Sequence, residues 1–432
     1  MPTRQERIAL FERNIDRVAA RAARLDRIDQ RLSNVRLAVV TLGVIAIMVF
    51  KDRSLAALLV ALLVSVIAFI VILVIHRRVR HRLQRQRDWM HIKQTHIARA
   101  RIDWEHIPTP PRYDADARHP FAIDLNLTGE HSLHHLLDTA SSRQGSDHLR
   151  DWLLNPLTDA DQIAARQRLV AEISPRFCDR LAQIGRGAAV GDPRVNTQRL
   201  LDWMELEPVE RISGWFVALL GFICLVTAVL FVLGTRGQIP PYYVISFVVY
   251  AGLSLTKARV AMTFWNLAME LQDVFNGLNG IFNYFERTPV AGKPALAALV
   301  MPFQDQQRPS RQLRRLRRII AAGGLQANAI AWILANVIMP WDLYFAYRLS
   351  VERHKLSRLI PIWLGIWHEL EALAALRTFA HLNPDYHTPT LVPGSNSFAT
   401  QQIGHPLIDH DERVCNDFAI NGLGQVVLIT GS

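Results

Sequence analysis

The sequence predicts a mainly α-helical protein. It has two transmembrane helical hairpins, an all-helical body and a short set of strands at its C-terminal end. Three observations carry this reading. Apolar runs come in two pairs, and two of the runs are 21 residues long without a charged residue. The net charge of +11 is concentrated on either side of the first pair. Extended, β-type patterning is confined to a short stretch near residue 125 and to the last 50 residues. With 432 residues, half of them apolar, and a mean hydropathy of +0.11, the chain is too apolar for a disordered or ordinary basic soluble protein. It is also too polar for a transporter that lies mostly in lipid. Three widely spaced cysteines (Cys178, Cys224, Cys415) exclude a disulfide scaffold and a CxxC metal knuckle.

Residues 1–36 carry nine Arg against five acids. Ile8, Phe11, Ile15, Val18, Ala22, Leu25 and Leu32 recur at 3–4 spacing, which predicts an amphipathic helix interrupted by Asp29. Residues 37–76 form the first hairpin. Leu37–Phe50 is 14 uncharged residues, Lys51–Ser54 is the turn, and Leu55–Ile75 is 21 uncharged residues, long enough to cross about 30 Å of hydrocarbon. Residues 77–119 form a basic helix and a linker containing Pro108, Pro110 and Pro111. This helix is expected to return alongside the N-terminal one. The second hairpin, 209–257, holds Gly214–Gly234 and Ile239–Leu255 around a polar turn, with Trp215, Tyr242 and Tyr243 at run ends. Arg77, Arg78, Arg80, Arg82, Arg85 and Arg87 follow the first hairpin, and Lys257 and Arg259 follow the second. By the positive-inside rule both termini and the central region face the cytoplasm, so the expected location is the inner (cytoplasmic) membrane, multi-pass.

Between the hairpins, Ala122–Gly129 alternates like a strand, Ser132–Leu154 patterns as helix stopped by Asn155-Pro156, and Asp159–Ile173 forms the next helix. The spaced set Asp124-Leu-Asn-Leu-Thr-Gly129, Ser132-Leu133, Leu136-Leu137-Asp138, Gly145, Leu149-Arg150 and Trp152–Leu157 resembles the core-domain signature of MutS proteins. Ile163, Arg166, Val170 and Ile173 continue it. The resemblance implies a helical core domain over 120–208, resumed over 258–382 as core and lever helices. There, Trp363–Ala380, with Glu369, Glu371 and Leu373, is similar to the helix that precedes the MutS ATPase domain.

The segment 383–432 contains Gly404-His405-Pro406-Leu407, then Val414-Cys415-Asn416-Asp417, then an apolar strand from Gly424 into Thr430-Gly431-Ser432. This order resembles the start of a MutS-family P-loop (ABC-type) ATPase domain. The resemblance implies adenine contacts at Arg413, Val414 and Asn416, and phosphate contacts at Gly431 and Ser432. Arg413 stands where MutS proteins often place an aromatic ring, and a guanidinium can stack on a base. Gly431 corresponds to the first P-loop glycine, and the Lys and Ser/Thr positions would lie beyond Ser432. The chain is therefore expected to be cut within the P-loop and to bind ATP and Mg2+ only in the full-length protein, with no catalytic residue of its own.

By the resemblance, the function is a membrane-anchored ATPase that pairs as a homodimer through its ATPase domains and couples nucleotide to DNA. No Phe-x-Glu mismatch-reading triplet is present near the N-terminus, and the second hairpin falls where the lever and clamp elements of the family arise. The alternative is a membrane scaffold or switch that keeps the MutS-type ATPase without touching DNA. Arg311, Arg314, Arg315, Arg317 and Arg318 are candidates for contacts with nucleic acid or lipid headgroups. His131, His134 and His135 lack a nearby acid or cysteine, so no metal site is expected.

Overall fold

A computed structural model describes residues 3–50, 55–111, 118–189, 194–205, 212–304, 308–422 and 424–428. Among these the chain is mostly helical, with one two-stranded sheet. The predicted turn Lys51–Ser54 and the candidate phosphate contacts Gly431 and Ser432 lie outside the described residues.

The N-terminal arm and the first apolar run form one helix, α1 (Arg4–Phe50), and the second run continues without a break into the basic arm as α2 (Leu55–Arg101). A capping box starts α1: the Thr3 N–H donates to Glu6 at 2.9 Å and the Glu6 N–H to Thr3 Oγ1 at 3.3 Å. The two helices run antiparallel along their lengths. In the apolar half, Gly43 permits the approach, since a Cβ there would lie 3.2 Å from Ser65. In the arm, Asp29, which interrupts the apolar stripe, receives His76 at 2.9 Å and Arg80 at 3.6 Å. Arg87–Asp26 and Arg101–Glu12, both 2.7 Å, continue the ladder. These outer pairs are solvent-exposed, each worth about 0.2–1 kcal/mol, so they set register more than stability.

The body follows. It comprises α3 (Leu133–Leu137), α4 (Arg143–Leu154), α5 (Ala160–Glu172), α6 (Pro175–Ala188) and α7 (Gln198–Glu205). Side-chain caps begin most of these helices: Ser132, Ser142, Asp159 and Ser174 each accept a backbone N–H. The predicted strand over Ala122–Gly129 is absent, and the segment is a chain of turns. Leu125 and Leu127 donate back to Phe121 and Ala122, and Asn126 and Gly129 have positive φ. The alternation arose because Ala122 and Leu127 are buried while Ile123 and Leu125 point outward from a coil.

The second hairpin is α8 (Gly214–Thr235) and α9 (Tyr243–Glu270), joined across its centre by Thr227 and Ser246 hydroxyls at 2.7 Å. Among the described residues four helices, α1, α2, α8 and α9, are each long and apolar enough to cross a membrane. The chain then forms α10 (Gln272–Glu286), α11 (Pro294–Gln304), α12 (Pro309–Gly323), α13 (Ala329–Ile338), α14 (Trp341–Leu356) and α15 (Ile360–Leu382). Two strands end it: β1 (Phe398–Ile403) pairs antiparallel with β2 (Asn416–Ile420). The predicted strand from Gly424 pairs with nothing among the described residues, and Val426 and Leu428 are 92% and 85% exposed. An apolar strand of this kind is stable only between neighbouring strands, which the described chain does not supply.

The core centres on α15, where Trp363, Trp367, Leu370 and Leu373 pack with Phe282, Phe285 and Phe303. Within this core Glu371 is fully buried. It accepts the backbone N–H groups of Ser141 (3.0 Å) and Ser142 (3.3 Å) and both of their hydroxyls. Burial raises its pKa, and the four donors work against that rise. Gly145 lies against this carboxylate: a Cβ would sit 2.1 Å from Glu371 Oε2. Gly145→Ala is therefore expected to destabilise the body by about 1–3 kcal/mol. Gly187→Ala, whose Cβ meets nothing within 4 Å inside α6, is expected to be neutral or to stabilise by up to about 1 kcal/mol. Thermal midpoints of the two purified variants check the contrast.

Candidate functional site

The site is built where α15 ends. Asn383 closes the helix and the chain turns through Asp385 and Tyr386 toward the C-terminal segment. Three elements meet there. Phe11 of α1, Ile97 and Ala100 of α2 and Leu382 of α15 form a small apolar cluster. Arg7 donates to the His381 carbonyl and lies 3.0 Å from its Nδ1. Lys93 sits 4.6 Å from the Phe11 ring centre and donates to both oxygens of Asp179 on α6, at 2.6 and 2.7 Å.

Of the sequence-predicted contacts, Arg413 is folded back. Its guanidinium lies over the Tyr386 ring at 5.1 Å and donates to the Tyr386 hydroxyl. Gly404 makes this possible: a Cβ there would lie 2.6 Å from Arg413 Cδ. Val414 is 78% exposed, and Asn416 opens β2 opposite Ile403. Arg413, Val414 and Asn416 thus fall on one short stretch beside Tyr386. Tyr386 was missed in the sequence, although an aromatic residue just after a long helix was a visible signal. His405 stabilises its own turn, accepting the Leu407 N–H at 3.3 Å.

A cleft of about 520 Å³ lies between the arms and this segment. Its walls include Arg4 and Glu12 of α1, Arg101 of α2, and Asp385, Asp409 and Asp411 of the C-terminal segment. Nothing in the sequence pointed to it, because its walls come from three distant segments.

The arginine row sits elsewhere, on α12, which packs against α10 and α14. Arg314, Arg317 and Arg318 line a cleft of about 300 Å³ with Gln272 and Asn276 of α10. Arg311 and Arg315 are exposed on the same helix. The three histidines are structural. His134 Nε2 lies 3.0 Å from the Ser146 carbonyl, His135 Nε2 lies 3.3 Å from the Ile107 carbonyl, and His131 stacks on His135 beside Trp104.

The arms are fastened to the body by Arg99, fully buried near the end of α2. One of its nitrogens donates to the carbonyls of His135 (2.8 Å) and Leu136 (2.5 Å), and the other to that of Asp138 (2.5 Å). The guanidinium thereby caps the C-terminal end of α3. Burial brings its pKa down to about 10, with Asp138 opposing and Arg194 assisting. Burial alone would raise the Asp138 pKa. Arg194 at 2.6 Å, His134 and Ser146 at 2.7 Å hold it below the usual range.

The family model for MutS domain III matches residues 119–212. The match covers α3 to α7 and ends directly before Ser213, the cap of α8. No solved structure matches the chain.

The histidines of the junction give a pH dependence. Burial, then Arg7, Lys93 and Arg377, lowers the His381 pKa to about 4, and burial with Lys93, Arg99 and His381 lowers His96 well below its ordinary value. Both are neutral when folded and protonate near 6.5 when unfolded. Their contribution is flat above about pH 6.5 and is lost as pH falls from there toward about 4. The thermal midpoint is expected to fall between pH 7 and pH 5, and His381→Gln is expected to show a smaller fall.

Proposed function

We propose that this MutS-related chain is a membrane-anchored nucleotide switch. The α1–α2 and α8–α9 hairpins cross the membrane, and in the full-length protein ATP with Mg2+ binds at the domain opened by residues 383–432. The signal travels through α15 to the domain III body and to the arms. One observation carries the reading: the end of α15 touches the α1 and α2 arms through Arg7, Phe11 and Ala100, while Tyr386, four residues past the helix, holds Arg413. A nucleotide that displaces Arg413 from Tyr386 would act directly on the segment joined to α15. By the MutS relationship two copies would pair through their ATPase domains, with the adenine against Arg413, Val414 and Asn416 and the phosphates near Gly431 and Ser432.

A second reading adds DNA. It is favoured by the basic faces of the arms and of α12, which could meet phosphates. Against it stands the α8–α9 hairpin, which occupies the place in chain order where the lever and clamp elements of MutS proteins arise.

Two measurements test these readings. In the full-length protein, with spin labels at Leu10→Cys and Val414→Cys in a Cys415→Ser background, ATP and Mg2+ are expected to change the inter-label distance, and Arg413→Ala is expected to abolish that change. Nucleotide binding without movement would sink the switch. For DNA, duplex affinity with a steep inverse salt dependence and a preference for branched or mismatched duplex would support the second reading. Negligible affinity at low salt would remove it.

A further inference from the structure

Helix α13 has the sequence Ala-Ile-Ala-Trp-Ile-Leu-Ala-Asn-Val-Ile, and none of its described residues is buried. Ile330 and Ile338 are 73% and 74% exposed, and Ile333, Leu334 and Val337 are exposed as well. A ten-residue helix cannot span a bilayer, and a solvated apolar face of this kind is unfavourable in water. Its neighbours say where it lies. The Cys224 thiol donates to the carbonyl of Ile338 at 3.0 Å, and the Tyr250 hydroxyl donates to that of Asn336 at 2.5 Å. Cys224 is ten residues from either end of the uncharged run Gly214–Gly234, about 15 Å along α8 from each end. The tip of α13 therefore stands at the middle of that apolar run.

After the tip the chain bends by 83° at Met339-Pro340 into α14. Irregular backbone at membrane depth survives only where protein groups satisfy it. Here they do. Asn336 Oδ1 accepts the Asp342 N–H at 3.2 Å, and Asn336 Nδ2 donates to the Trp332 carbonyl at 3.1 Å. Trp332 Nε1 donates to the Asp342 carboxylate at 2.6 Å. α14 then passes Gly214, the start of α8, where a Cβ would meet the Tyr347 hydroxyl at 2.8 Å. Just before α13 comes α12, whose Ala322 carbonyl accepts Trp341 Nε1 at 3.0 Å, so the end of the arginine-bearing helix lies at the elbow. Arg314, Arg317 and Arg318 line their cleft without an ion-pair or hydrogen-bond partner among the described residues.

We propose that α12 and α13 form a third membrane-engaging element: α13 is a half-membrane helix covered by acyl chains, and the α12 arginines hold anionic lipid headgroups. This rests on the reading that α8 and α9 cross the membrane. The occupant is lipid because α13 sits against α8 and α9 by its tip with its apolar side chains exposed, and the helix just before it in the chain carries the cations of the α10–α12 cleft. α13 alone is too short to span, and it meets the length and hydropathy of a span only together with α14, across the 83° bend.

The test uses the whole chain with Cys415→Ser, in nanodiscs of phosphatidylcholine and phosphatidylglycerol. Single spin labels are placed at Ile333→Cys on α13, Val229→Cys on α8 and Leu10→Cys on the arm. The expected result is high collision with oxygen and low collision with a water-soluble nickel complex at Ile333, as at Val229, and the reverse at Leu10. A water-like signal at Ile333 with a lipid-like signal at Val229 overturns the half-helix and leaves the anchoring intact. Water-like signals at both overturn the anchoring itself. For the headgroups, in detergent-purified whole chain, R314Q/R317Q/R318Q is expected to lower co-purifying phosphatidylglycerol by about twofold or more, with phosphatidylcholine unchanged. Unchanged phosphatidylglycerol together with loss of duplex DNA binding would assign the row to nucleic acid and overturn this part.

Discussion

Arg99 is the interaction on which the arrangement depends. It lies at the polar end of a 47-residue helix whose other half is apolar, and its guanidinium is sealed against three carbonyls at the end of α3. A buried cation is costly unless it is fully engaged. Here its two terminal nitrogens are engaged at the helix end, with Asp138 nearby and held in turn by Arg194 and Ser146, while Nε has no hydrogen-bond partner among the described residues. The planar fork matters, because one ammonium cannot reach carbonyls on both sides in the same way. Removing it would leave three buried acceptors unmatched.

With Arg99 in place, the rest of the arm is registered. Lys93 reaches Asp179, Gln183 donates to the Arg85 carbonyl at 2.8 Å, and Phe11 of the neighbouring arm falls against Ile97 and Leu382. The arms therefore form part of the body's surface instead of hanging from the hairpin. Glu371 plays the matching part inside the body by tying α15 to the start of α4. Arg99 ties α2 to α3, and Glu371 ties α15 to α4, so both fasten a neighbouring element to the region that the MutS domain III model matches.

Much of the fold was legible because long uncharged runs and 3–4 periodicity are strong signals. The pairing of α1 and α2 followed from the short turn between them, and Asp29, seen only as a break in a stripe, proved to be the partner of His76. Other features were hidden for physical reasons. Arg99 is one of eight arginines in its stretch, and only the fold shows that it faces inward. The alternation at Ala122–Leu127 imitates a strand because successive turns also send neighbours to opposite sides. Helix α13 escaped because nine apolar residues and Asn336, followed by Pro340 and Asp342, look like an ordinary body helix. At the candidate nucleotide site, Arg413 was visible but its Tyr386 partner was not, since the two are brought together only by the turn after α15.

The most direct test of the docking is hydrogen–deuterium exchange on Arg99→Lys in detergent-purified protein. The replacement keeps the charge and removes the fork. The account predicts faster exchange in residues 85–101 of α2, in α3 and near Phe11, with exchange in the α15 core over 363–375 unchanged. Exchange in α2 and α3 identical to that of the unaltered protein would contradict it.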